Sequence, residues 1–181
     1  YLAAWAGWLV DYERPIYLLT SRKELPEATR ILQKIGIEKI AGYFVPGKVK
    51  AAGLRTQSYV NQKPKELAVK VENGEVTLID VRGESEWAES HIQQAQRCFL
   101  ANLPEKLKEF DGDCSLVFQC RSGGRSAIAA SLAKAAGVQN VVNMSGGIVA
   151  WTKAGLPVVQ GTSEVHGPDC SASTSEAACQ S

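Results

Sequence analysis

Residues 119–137 read QCRSGGRSAIAASLAKAAG. A cysteine closes an apolar run and is followed at once by two arginines, two glycines and a helix-forming stretch. A cysteine that only fills a core needs none of these neighbours. A reactive one uses all of them. Gly123 and Gly124 permit backbone conformations that turn successive amide N–H groups inward, forming an anion-binding nest. The helix that starts near Arg125 adds the positive end of its dipole, and Arg121 and Arg125 add full positive charges. A thiol in that field loses its proton more easily, and the thiolate is the nucleophile. The candidate site is therefore Cys120 within a cradle of Arg121, Ser122, Gly123, Gly124, Arg125 and Ser126. Such a cradle suits a bound anion, or a sulfur atom carried on Cys120.

The elements that must position this loop alternate between strand and helix. KPKELAVKVENG has Pro64 where a helix can begin and Gly74 where it can end. VTLIDV and SLVFQ are short apolar runs, readable as buried strands. ESEWAESHI predicts a short helix, RCFL a short strand, and LPEKLKEF a helix with Leu103, Leu107 and Phe110 on one face. In SAIAASLAKAAG the residues Ile128, Leu132 and Ala135 share a helical face, with Gly137 as the C-cap. VQNVVNM returns as a strand, and SGGIVAWTKAG closes with a helix ending at Gly155. The fold class is α/β: a parallel sheet covered by helices on both faces, with the cysteine loop at the carboxyl end of a strand, where ligands bind.

RPIYLLT, LPEATRILQKIG, IEKIAGYF and KAAGLRT follow the same order of elements as residues 114–158, at an offset of about 100 residues. Ala28, Ile31, Leu32 and Ile35 repeat the helical stripe, and Gly36 answers Gly137. Thr20 or Ser21 stands where Cys120 stands in the later copy. Residues 1–57 therefore read as a degenerate, chemically silent half-copy, and residues 58–160 as the complete domain. Half an α/β unit cannot bury both faces of its strands. Residues 161–181 hold one bulky aliphatic residue, Val165, and read as a disordered tail.

The chain has 181 residues, 45% of them hydrophobic, and a formal net charge of +1. That length is enough for one core-bearing domain plus extra material. The balanced charge gives no footprint for nucleic acid and no polybasic membrane patch. The longest strongly apolar run, YLAAWAGWLV, falls far short of the roughly 20 residues that span a bilayer. No basic segment precedes it and no small-residue cleavage site follows, so it does not read as a secretion signal. The chain begins at Tyr1 and not at Met, which reads as a fragment or a processed product. Five cysteines without a CxxC pair, with two histidines, argue against a disulfide scaffold and a zinc cluster. The expected setting is the reducing cytoplasm, without a cofactor or metal.

CRSGGRS closely resembles the active loop of single-domain thiosulfate sulfurtransferases of the rhodanese family. LIDVR with SEW and HI resembles that family's first signature, with Gln93-Gln94-Ala95 where Pro-Gly-Ala is usual and Ser90 where Gly is usual. SGGIVAWTKAGLPV resembles its closing signature. The resemblance covers about residues 58–159 and implies a sulfurtransferase in which Cys120 carries a persulfide. Its donors would be small sulfur anions such as thiosulfate, or low-molecular-weight persulfides, and its acceptors cyanide, thiols or sulfite. Backbone amides from Arg121 to Arg125 would stabilise the persulfide, and the two arginines would hold anionic donors. Asp80 and Arg82 are assigned to the scaffold, organising the loop by hydrogen bonds. Residues 1–57 also resemble the inactive repeat of bacterial fusions in which a metallo-β-lactamase-fold persulfide dioxygenase precedes rhodanese domains; a tandem rhodanese with an inactive first domain competes with that reading.

Two rivals remain. Dual-specificity cell-cycle phosphatases share the fold, but they place the arginine six positions after the cysteine; Arg125 is five on, giving a tighter ring. A non-catalytic rhodanese-like interaction module typically lacks the cysteine, which suits residues 1–57 and not 58–159. Cys98, Cys114 and the four tryptophans read as packing residues, His91 as a structural hydrogen-bonding residue, and Cys170, Cys179 and His166 as incidental tail residues.

Overall fold

The structure, a computed structural model, describes residues 1–53, 55–109 and 115–161. Residues 162–181 of the tail, with His166, Cys170 and Cys179, lie outside the described residues, as do Phe110 and Cys114. The chain divides into two compact units, Tyr1–Gln57 and Ser58–Ser181. Among the described residues no helix is long and apolar enough to cross a membrane.

In the first unit, α1 (Leu2–Leu9) precedes β1 (Ile16–Leu19), α2 (Leu25–Gln33), β2 (Ile40–Phe44) and α3 (Lys48–Ala51). The strands pair in parallel, and their inward side chains Ile16, Leu18 and Ile40 pack with Ala6, Leu32 and Ile37. Tyr17 and Leu19, on the alternate face, are exposed. Both faces of a parallel strand are ordinarily apolar and covered; here one is covered. Thr20 directly follows β1 as Cys120 directly follows β6, and the neighbouring Ser21 accepts the Glu24 N–H at 3.2 Å and donates to the Glu24 carboxylate at 2.6 Å. It is spent on opening α2. The apolar run before β1 forms α1, an element that periodicity does not reveal because the run has no polar face.

The second unit contains β3 (Val60–Gln62), α4 (Pro64–Glu72), β4 (Thr77–Asp80), α5 (Glu84–Glu89), β5 (Gln96–Arg97), α6 (Leu103–Lys106), β6 (Leu116–Gln119), α7 (Gly124–Ala135), β7 (Val141–Met144) and α8 (Gly147–Lys153). Its sheet is parallel throughout, in the order β3-β7-β6-β4-β5. The α/β expectation of a parallel sheet sandwiched by helices is met. β6 sits at the centre with all four residues buried, which is why it reads as a continuous apolar run. Leu78 pairs with Val117, and both join Leu67, Val71, Trp87, Met144 and Trp151 in one core cluster fed by α4, α5 and α8. Ile79 and Phe118, also paired, point to the other face.

Three details differ from the sequence reading. RCFL contributes only Arg97 to the strand: β5 is Gln96–Arg97, and Leu100 opens a short 3-10 turn. The described residues 103–109 of LPEKLKEF form one α-turn, α6, followed by a 3-10 turn at Leu107–Glu109, with Leu103 and Leu107 buried. The buried face of α7 is Ser126, Ala129, Ala130 and Ala133, with Ile128 and Leu132 only half-buried and Ala135 exposed. Small side chains let the helix lie close to the sheet beside the cysteine loop, and closeness outweighs the larger area of Ile and Leu. β3 carries no strong apolar pattern because it is an edge strand, with Val60 exposed.

The usual Pro-Gly-Ala turn survives its replacement. The Ala95 N–H closes it on the Ile92 carbonyl at 2.9 Å, with Gln93 and Gln94 exposed. Ser90 has φ −169°, extended backbone open to any residue.

Candidate active site

Cys120 directly follows β6, and its side chain is buried to 1% exposure. Burial alone opposes ionisation. The thiol is nevertheless held below its ordinary pKa, because hydrogen bonds outweigh that desolvation: first the Ser126 hydroxyl, then the backbone amides of Ser126, Ser122 and Gly123. The Gly123 N–H lies 3.1 Å from Sγ and the Ser126 Oγ 3.5 Å. Gly123 reaches this geometry at φ +100°, the left-handed region that suits glycine. Gly124 is already the first residue of α7, so the helix and its dipole begin beside the sulfur.

What turns the amides inward is α8. The Cys120 carbonyl accepts the Ile148 N–H at 2.8 Å, and the Arg121 carbonyl accepts the Val149 N–H at 3.2 Å. In a trans peptide the C=O and the next N–H point opposite ways. Anchoring the Arg121 carbonyl on α8 therefore aims the Ser122 N–H away from α8, toward Sγ. The first turn of α8 has orphan N–H groups to satisfy, and the loop satisfies two of them. Gly147 permits the approach: a Cβ there would stand 2.1 Å from the Cys120 carbonyl oxygen. Gly147 and α8 belong to the site, although the motif reading did not place them in it; the signal was the SGG that opens the closing signature.

The arginines divide. Arg121 is exposed and, among the described residues, joins no ion pair. Arg125 is gripped by Glu86, with contacts of 2.6 and 2.7 Å between its two terminal nitrogens and the two carboxylate oxygens. It is not the free positive charge that spacing suggests. The pairing holds the Glu86 carboxyl below its usual range, chiefly through the Arg125 hydrogen bonds. Glu86 was missed because it lies 39 residues from Arg125.

Asp80 and Arg82 are buried, at 0% and 3% exposure. Arg82 donates to both Asp80 oxygens, at 2.6 Å for the shortest contact, and to the Ser90 carbonyl at 2.7 Å. The Arg82 N–H also reaches Asp80 at 3.0 Å. These bonds hold the turn into α5 and the end of that helix. None of them goes to residues 120–126, so the expected hydrogen bonding to the cysteine loop is replaced by support of the element that carries Glu86. Asp80→Asn is expected to destabilise the domain by about 3 kcal/mol, measured by urea unfolding, because a buried guanidinium loses its counter-charge.

His91 stacks on Trp87 at 3.8 Å and 11° and donates from Nδ1 to the Trp87 carbonyl at 3.1 Å. Its backbone exchanges both hydrogen bonds with Val159, tying down the chain after α8. Its role is structural. Trp87 and Trp151 are core residues, whereas Trp8 is 64% exposed. Cys98 is buried behind β5.

A sulfur ringed by a hydroxyl and inward amides at a helix start can persist as thiolate and can stabilise a negative charge one atom further out. The pH dependence follows. A lowered pKa means that thiolate is present at lower pH, so alkylation by iodoacetamide should rise with pH and level off before an ordinary thiol would. Ser126→Ala removes the largest stabilising bond and should move that midpoint upward; an unmoved midpoint would refute the assignment.

Known proteins point the same way. Residues 63–154 match the rhodanese-like domain family. A sulfurtransferase of Allochromatium vinosum is 36% identical over 85 residues, covering 47% of this chain and 79% of that one. A probable adenylyltransferase/sulfurtransferase of Mycobacterium tuberculosis is 34% identical over 142 residues, covering 77% of this chain and 35% of that protein. The chain spans 59% of another relative, an uncharacterized protein of Synechocystis. Among solved structures, a rhodanese-related protein from Thermoplasma volcanium superposes with a TM-score of 0.52 at 30% identity, over 56% of this chain and 98% of that one. With its three motifs carried by one parallel sheet and its cysteine loop braced by the closing helix, the chain belongs to the rhodanese-like domain family.

Proposed function

We propose that this chain is a sulfurtransferase that passes sulfane sulfur through a persulfide on Cys120. The observation that carries the reading is the ring of donors on Sγ: the Gly123 amide at 3.1 Å and the Ser126 hydroxyl at 3.5 Å, with Ser122 beside them. In the first step the Cys120 thiolate attacks the outer sulfur of the donor. A new S–S bond forms on Sγ, and the donor's own S–S bond breaks. Its electron pair leaves with sulfite when the donor is thiosulfate, or with a thiolate when the donor is a persulfide. In the second step an acceptor nucleophile takes the outer sulfur, and the bonding pair returns to Sγ. No net proton is needed in either step, so no base is required. Arg121 and the loop amides meet the donor; Asp80 and Arg82 support the fold around Glu86.

Residues 1–57 hold no cysteine, and their Ser21 is committed to α2. That supports reading them as a silent half-copy. Their resemblance to the inactive repeat of dioxygenase fusions supports a persulfide dioxygenase as the partner activity. Phosphate-ester hydrolysis is disfavoured because the loop arginine is held by a carboxylate rather than offered to a dianion.

The test is to incubate the protein with thiosulfate or glutathione persulfide, then read the mass of the Cys120 peptide and transfer to cyanide, thiols and sulfite. A gain of one sulfur atom on Cys120, lost on adding acceptor, is expected. Release of phosphate from aryl phosphates without sulfur transfer would overturn the reading.

A further inference from the structure

The half-buried Glu86–Arg125 pair stands beside the nucleophile without touching it. The side chains are 29% and 19% exposed, and the pairing is two-pronged. Arg125 follows Gly124 at the start of α7, and its positive charge interacts with the charge on Cys120. Arg82, the neighbouring cation, is already matched by Asp80. Counted as charges, Glu86 cancels Arg125 and the Cys120 thiolate cancels Arg121. The reactive loop is thus close to neutral, although its motif carries two arginines.

Resting on the sulfurtransferase reading, we infer that Glu86 is a specificity-determining, positioning residue that sets the loop toward donors with one negative charge at the reacting end and away from dianions. A dianion entering a neutral loop gives up hydration with no surplus positive charge to replace it. A singly charged donor gives up less, and the amide ring serves its outer sulfur equally well. The chemistry is the same for both classes: the donor S–S bond breaks, the outer sulfur joins Sγ, and sulfite or a sulfinate leaves with the electron pair.

Thiosulfate and methanethiosulfonate make the comparison, because they share the breaking bond and differ by one charge. Both are assayed on wild type, Glu86→Gln and Glu86→Asp. Glutamine keeps the acceptor oxygen that faces the Gly83 N–H at 3.4 Å and removes the charge. In E86Q the ratio of kcat/KM for thiosulfate to that for methanethiosulfonate should rise about fivefold, and that rise should fade with added salt. In E86D, which keeps the charge on a shorter arm, the ratio should stay near wild type. A merely structural role would lower both donors together and leave the ratio unmoved, which overturns the inference while sulfur transfer stands. If E86Q does not fold, wild type alone decides: its thiosulfate kcat/KM should change by less than about twofold between low and physiological ionic strength. A steep fall there would show surplus positive charge at the loop and overturn the inference. Transfer from neither donor nor from glutathione persulfide would defeat the sulfurtransferase reading itself.

Discussion

Cys120→Ser should reduce sulfur transfer by about a thousandfold or more while leaving the fold intact. Every donor around position 120 is aimed at one atom. The Gly123 amide and the Ser126 hydroxyl both meet Sγ, and a serine hydroxyl accepts the same bonds. The scaffold has no reason to fail, since the Cys120 and Arg121 carbonyls remain anchored to α8. What is lost is the chemistry. An alkoxide is inaccessible near neutral pH, and oxygen cannot hold a sulfane sulfur as a stable, transferable adduct. The variant should therefore melt within a few degrees of wild type, stay unmodified by thiosulfate and by glutathione persulfide, and transfer nothing to cyanide. Retained transfer would place the sulfur carrier elsewhere in the chain.

The second large effect is expected at Gly147, well away from the cysteine in sequence. An added Cβ would lie 2.1 Å from the Cys120 oxygen and 2.7 Å from both the carbonyl carbon and the oxygen of Arg121. All three atoms are backbone, so no side-chain rotation relieves the clash. The φ of +55° adds strain for any L side chain. Gly147→Ala must push α8 off the loop and lengthen the bonds from the Ile148 and Val149 amides. Once the Arg121 carbonyl is released, nothing turns the Ser122 amide toward Sγ. We expect a loss of about 3 kcal/mol by urea unfolding. The Cys120 alkylation midpoint should move up toward an ordinary thiol, with at least a tenfold loss of transfer activity. Gly83→Ala is the control: it has open space around the new Cβ and φ −72°. Its stability should change by under about 1 kcal/mol, with the alkylation profile unmoved. An unchanged thiol profile in Gly147→Ala would break the link drawn between α8 and the nucleophile.

Much of this molecule is legible without coordinates because its determinants are local. Val117 and Phe118 have to be a buried strand because a central parallel strand is apolar on both faces. Cys120, Gly123 and Ser126 are close in sequence, so a strand–turn–helix of that spacing brings the thiol, the left-handed glycine and the Ser126 hydroxyl near one point. The strand–helix–strand order of residues 16–44 is legible for the same reason: each apolar run and the glycine after α2 act locally. Where local pattern misled, neighbours had decided. The α7 stripe of Ile128 and Leu132 is the more hydrophobic face, yet the alanine face is the one buried, because only small side chains fit between that helix and the sheet.

Tertiary structure alone decided which charges near the thiol are free and why the loop amides face inward. Glu86 reaches Arg125 only after β4 and β6 have paired and α5 has been hung from the end of β4. Gly147 meets Cys120 only after β7 has been laid beside β6, which places the start of α8 against the loop. The sequence by itself determined the candidate cysteine, its strand–turn–helix setting and the α/β frame, since these depend on residues a few positions apart. The charge balance and the direction of the peptide dipoles depend on partners brought together through the sheet, and spacing along the chain carries no record of them.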